Sequence, residues 1–210
     1  MKYKVKGTSL IIEGDFEAIS SGINGGRGRV ECLINHRVQP AFDHYEPAEY
    51  LNNVAESLML KKPYFGLLTA VNMDKLCVMT EDYLTTFVTA GITHPSGFKV
   101  GRAGTINIII TVDGMLSESA MVGAIITATE AKGLALLDMG YDFLGTTTDA
   151  VIVAYENHLG AETETRTMTG EILEYAGPYT EFGEMITRTV MKGVKDGVGK
   201  NGQEYTMGLK

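Results

Sequence analysis

At 210 residues, 44% of them hydrophobic and 21% charged, the chain is long enough to bury one sizeable core and short for two independent ones. We therefore read 1–210 as a single domain. A formal net charge of −8 opposes a phosphate backbone and excludes nucleic acid as an expected partner. Apolar runs such as INIII fall far short of the roughly 20 residues of a membrane span, and MKYKVKGTSLIIEGDF lacks the apolar core of an export signal. A cytoplasmic protein with no membrane partner is expected.

In chain order, KYKVKGTSLIIE (2–13) alternates like a hairpin turning at Gly7-Thr8. The stretch SSGINGGRGRV (20–30) is rich in glycine, but a dinucleotide fingerprint needs glycines that open a helix, and here a strand follows. A tight turn or backbone nest, or backbone approach to a bulky ligand, remains, with Arg27 and Arg29 as solvated charges. In RVECLINH the period of two places Val30, Cys32, Ile34 and His36 on one face and Glu31, Leu33 and Asn35 on the other. His36 ends an apolar face, as a satisfied rim histidine or a catalytic one. Asp43 and His44 lie near it in sequence, but no recognised ligand spacing occurs and no metal is expected.

A helical pattern covers 47–60, and YFGLLTAV, LCVMTE and LTTFVTAG read as strands. Cys32 and Cys77 sit inside strand-like segments and are expected to be buried, reduced thiols. In TINIIITV one face is wholly apolar, whereas Thr105, Asn107, Ile109 and Thr111 form the other, which meets solvent or lines a cavity.

A second helix is expected over 117–139, capped by Ser117 and ended by Gly140. It is apolar almost all round, so it is expected to be largely buried, with Gly123, Thr127, Glu130 and Leu134 on one stripe. A buried Glu130 would be a candidate general acid or base; a structural ion pair or an exposed edge position is the alternative. Next comes GTTTDAVIVA, three threonines and Asp149 at the rim of a buried strand. A third helix runs over 180–196, with Thr180 as its cap and Glu181 and Glu184 at the positive end of its dipole. The fold class is α+β (mixed α/β), with a mostly antiparallel or mixed sheet and about three main helices.

The segments TAGITHPSGFKVGRAGTINIIITVDGMLSESAMVGAIITATEAKGLALLDMG, GTTTDAVIVA and YAGPYTEFGEMITRTV carry a resemblance to the CbiZ family of adenosylcobinamide amidohydrolases, extending from about Ser20 to Val194. The resemblance implies hydrolysis of the amide between the aminopropanol arm and the corrin ring, giving adenosylcobyric acid and 1-amino-2-propanol in corrinoid salvage. The corrinoid is then substrate, and no cofactor is expected. The oligomeric state is left open, a homodimer being one option. Two departures from the family pattern stand out: His94 replaces a small amide side chain, and 156–174 form a longer polar insertion.

Residue roles follow from chemistry and position. A corrin is an apolar plate fringed with amides, which suits neutral hydrogen-bonding groups: Thr146, Thr147, Thr148, Asn107, Asn35, Asn24 and Thr127 are the candidate substrate contacts. Asp149, Glu130 and His36 are the candidate catalytic groups. The preferred route is water activated by Asp149 or Glu130; the second is a threonine hydroxyl of 146–148 activated by one of them. A non-catalytic corrinoid or tetrapyrrole-binding protein of the same fold is the alternative function.

Overall fold

The computed structural model describes residues 1–39, 46–92, 104–156 and 172–207, the last seven by backbone alone. Asp43, His44, His94, His158 and most of the 156–174 insertion lie outside the described residues.

The chain opens with β1 (Lys2–Lys6) and β2 (Ser9–Ser20), joined at Gly7-Thr8 as expected, with Gly7 at a φ of +58° that an L side chain resists. β2 is longer than the sequence reading allowed. A register shift between Glu13 and Phe16 interrupts the ladder, and the strand then resumes its alternation with Phe16 and Ala18 buried. β3 (Gly26–Arg37) returns antiparallel to it. Helix α1 (Pro47–Ser57) leads to β4 (Tyr64–Thr69), parallel to β3. A 3-10 turn (Met73–Lys75) precedes the β5 (Cys77–Glu81), β6 (Leu84–Ile92) and β7 (Gly104–Val112) meander. After the short β8 (Met115–Leu116) come α2 (Glu118–Asp138), β9 (Ala150–Glu156), the short β10 (Ile172–Leu173) and α3 (Glu181–Met207).

The principal sheet has the order β4-β3-β2-β9-β7-β6-β5, with β1 on the first half of β2. β3–β4 and β7–β9 are parallel and the other neighbours antiparallel, so the mixed α+β reading holds. The sheet curls on itself. Asn35 of β3 and Asn107 of β7 are separated by two strands in the ladder, yet their side chains are hydrogen-bonded, and Asn107 also reaches the carbonyl of Leu68 in β4. On β1, Tyr3 meets Phe87 of β6 edge-on at a ring separation of 5.0 Å.

Each face of the curl has its own core. Inside lie Leu10, Ile12, Phe16, Leu33, Phe87, Ile109 and Ile152. Outside, Ile106, Ile108, Ile110 and Val112 of β7 pack with Val88 of β6 under α2 and α3. The wholly apolar face of TINIIITV is therefore the helix side. On its other face Thr105 is partly exposed, whereas Ile109 joins the inner core and Asn107 is 1% exposed.

Local chemistry sets the helix ends. Ser117 Oγ accepts from the Ala120 N–H at 3.1 Å, and Thr180 Oγ1 from Gly183 N–H at 3.0 Å, as expected of N-caps. Gly140, at φ +85°, donates to Leu137 O while Tyr141 donates to Leu136 O, the paired bonds of a Schellman stop. α3 runs past 196 because its glycines are used for approach. A Cβ on Gly193 would stand 2.7 Å from Val88, and one on Gly197 3.0 Å from Ala90, so both let the helix lie against β6. α2 is the described helix long and apolar enough to cross a membrane, but 56% of its apolar window is buried in the fold.

Candidate active site

The loop between α2 and β9 supplies Thr146–Asp149, and the start of β7 supplies Gly104–Asn107 beside it. Asp149, its side chain 10% exposed, is the centre of this junction. Its Oδ1 accepts from Ile106 N–H at 2.8 Å and from Thr146 Oγ1 at 2.6 Å. Its Oδ2 accepts from Thr146 N–H at 2.9 Å and from Lys132 Nζ at 2.5 Å. A carboxylate has about four lone-pair sites, and all four are taken. Thr146 Oγ1 also lies 2.8 Å from Gly104 O, so its proton stands between two acceptors. Thr148 Oγ1 lies 2.8 Å from Thr105 Oγ1, whereas Thr147 is exposed with its neighbour.

Lys132 is the site residue that sequence reasoning missed. It is 7% exposed and emerges from the middle of α2 onto Asp149. Its signal was present: a lone cation inside the apolar run AKGLALL can be buried only with an anion to meet it. The buried-acid expectation for Glu130 is corrected accordingly, since Glu130 is exposed and the buried charge of α2 is Lys132. α2, expected to be largely buried, is buried along one side, whereas Val122, Ile126, Leu134 and Leu137 are each about half exposed. Of the expected stripe, Gly123 lies beside Ala176, and Thr127 donates to Ala176 O at 2.6 Å.

Asn35 and Asn107 are brought together inside the curl. Asn107 Nδ2 donates to Asn35 Oδ1 at 3.0 Å and to Leu68 O at 2.9 Å, while Asn35 Nδ2 donates to Thr89 Oγ1 at 2.9 Å. Asn107 Oδ1 is buried without a partner among the described residues. His36 is occupied: Nδ1 lies 2.7 Å from Ser9 Oγ and Nε2 3.4 Å from Tyr50 OH. Burial pushes its pKa below the ordinary imidazole value. Asn24 is exposed in the β2–β3 turn at φ +51°, where the glycine-rich stretch folds back so that Ile23 bridges to Gly66 of β4. Arg27 and Arg29 are exposed and ion-paired, Arg27 with Glu118 and Glu17, Arg29 with Asp15. Cys32 and Cys77 are both buried and unbridged, and burial pushes the Cys32 thiol up to about 12.

Residues 6–206 match the family model described as CbiZ, adenosylcobinamide amidohydrolase. An adenosylcobinamide amidohydrolase of Methanosarcina mazei is 50% identical over 203 residues, covering 97% of this chain and 100% of the relative. An uncharacterised protein of Methanocaldococcus jannaschii is 28% identical, covering 89% of this chain and 84% of its own. An adenosylcobinamide amidohydrolase of Halobacterium salinarum is 25% identical, over 84% of this chain and 78% of its own.

Proposed function

The chain belongs to the adenosylcobinamide amidohydrolase family, and on that premise we propose that it hydrolyses the aminopropanol amide of adenosylcobinamide, with Thr146 as nucleophile and Asp149 as its base. The corrinoid enters as substrate. The observation that carries the assignment of roles is the 2.6 Å contact between Thr146 Oγ1 and Asp149 Oδ1, which is nucleophile-to-base reach. Because four donors already fill the carboxylate, a water could use Asp149 only by displacing one of them. The hydroxyl needs no displacement, which favours the threonine over the water route preferred from sequence.

In this reading the Thr146 proton passes to Asp149 as Oγ1 bonds to the amide carbon. The C–N bond then breaks, and the departing aminopropanol nitrogen takes the proton from Asp149. Water cleaves the resulting ester, its proton going through Asp149 back to Thr146. Lys132 holds the second carboxylate oxygen throughout. Glu130, exposed on α2, and His36, with both ring nitrogens engaged, have no part in the proposed steps.

The test is turnover of adenosylcobinamide, followed by mass spectrometry of the corrinoid product, with folding checked by circular dichroism. Thr146→Val and Asp149→Asn are expected to lower kcat by about a hundredfold or more, and Thr146→Ser to keep most of it. Loss in Asp149→Asn with normal turnover in Thr146→Val would transfer the attack to water. Intact substrate recovered from the wild-type protein would remove the enzyme reading and leave corrinoid binding.

A further inference from the structure

A cavity of about 630 Å³ opens at the mouth of the curl, between the β1–β2 turn, the last residue of β3 and the 3-10 turn after β4. Val5, Thr8, Arg37, Asn72, Met73 and Asp74 line it, and none of the Thr146–Asp149 cluster does. Arg37 and Asp74 both face it, and neither is ion-paired with another described residue. The guanidinium Nε of Arg37 is buried and has no acceptor among the described residues. Arg27, Arg29 and Arg188, by contrast, each hold a carboxylate. A buried N–H left open is costly, so it points to an acceptor that arrives with a ligand.

Asp74 on the same lining argues against a simple anion, since a phosphate or carboxylate drawn to Arg37 would also meet a like charge. The fitting ligand is neutral overall, with acceptors for Arg37, donors for Asp74 and an apolar face for Val5 and Met73. A single carboxamide satisfies the two charges but leaves most of the volume empty, because cavities of this size hold drug-sized groups. A nucleoside meets every requirement. Its purine offers ring acceptors and a flat face to a guanidinium and a thioether, and its vicinal ribose hydroxyls donate to a carboxylate.

We propose that this cavity is a nucleoside subsite. Resting on the reading of the chain as an adenosylcobinamide amidohydrolase, the group it takes is the adenosyl ligand of the substrate. A line of contacts runs from one site to the other. Val71, next to Asn72, packs where a Cβ on Gly91 would stand, and Gly91 O and Thr146 flank Gly104 in the same way.

Two substrates test the assignment: adenosylcobinamide and the same corrinoid carrying cyanide in place of the adenosyl group. The ratio of their kcat/KM values is expected to fall about tenfold in both Arg37→Gln and Asp74→Asn. Asp74 is exposed and has no ion pair among the described residues, so Asp74→Asn keeps the test valid if the arginine variant misfolds. A ratio within about twofold of wild type in a folded Asp74→Asn protein overturns the subsite. If neither corrinoid is cleaved, the function fails separately, and calorimetric titration with adenosine alone decides the cavity. Binding weakened about tenfold by Asp74→Asn supports it; equal binding in both proteins, or none by the wild type at about 10 mM, removes it.

Discussion

Replacing Lys132 by Met is the sharpest test of the polar junction beneath α2. Methionine keeps the length and apolar stem of the side chain, so the cavity cost is small and the loss is the ammonium. Lys132 and Asp149 have side chains 9% and 10% exposed, so water cannot take over the missing contact without opening the loop. Removing one partner of a buried pair costs about 3–5 kcal/mol, because the other charge stays behind uncompensated. Asp149 keeps three donors, Ile106 N–H, Thr146 N–H and Thr146 Oγ1, which places the expected cost at the low end, about 3 kcal/mol. For a chain of this size that lowers Tm by about 6–12 °C. Urea unfolding followed by circular dichroism measures it, together with Asp149→Asn and the double variant. The two single losses should exceed that of the pair, with a coupling of about 1–3 kcal/mol. A Lys132→Met protein within about 0.5 kcal/mol of wild type, or simple additivity, would refute the burial argument.

His36 is held neutral by burial, so its folded pKa lies below the ordinary 6.5. The unfolded chain therefore binds the proton more readily, and this stabilising contribution, complete above pH 6.5, is lost as pH falls through the lower folded value. A Tm profile from pH 8 to pH 5 should slope down accordingly, and His36→Asn should flatten that part of it; an unchanged profile in the variant would exclude His36. Neither Cys32 nor Cys77 is expected to react with an aromatic disulfide reagent in the native protein, and both should titrate after denaturation; rapid native labelling would contradict their burial. Glu130→Gln is expected to leave turnover within about twofold and stability within about 0.5 kcal/mol, since the side chain lies in solvent; a large loss of kcat would return Glu130 to the mechanism.

What could be read from the sequence was what neighbouring residues decide. Ser117, Thr180 and Gly140 act on backbone groups within a few positions of themselves, so the ends they mark were visible before any packing was known. The seven strands of the main ladder from β2 onward followed from short apolar runs, though β2 was read too short because its bulge at 14–15 broke the alternation. The side that α2 buries was not legible. Apolar residues occur all round that helix, so no period points inward, and the stripe drawn through Glu130 runs from buried Thr127 to exposed Glu130 and Leu134. Asn107 defeated the reading for another reason: only the curl brings Asn35 and Leu68 to it, and curvature is a property of the assembled sheet.

The place of β9 in the ladder also governs when the protein can fold. This strand lies between β2 and β7 and is the ladder's link between residues 2–69 and residues 77–112. It leaves the ribosome after both. Until residue 156 has emerged, the growing chain carries two partial sheets with β2 and β7 each lacking a neighbour, and such open strands pair readily with other chains. Synthesis at about 5–20 residues per second leaves the N-terminal strands in that state for several seconds, a natural period for chaperone engagement. A chain stopped after α2 should accordingly aggregate, and supplying the β9 segment in trans should favour its recovery.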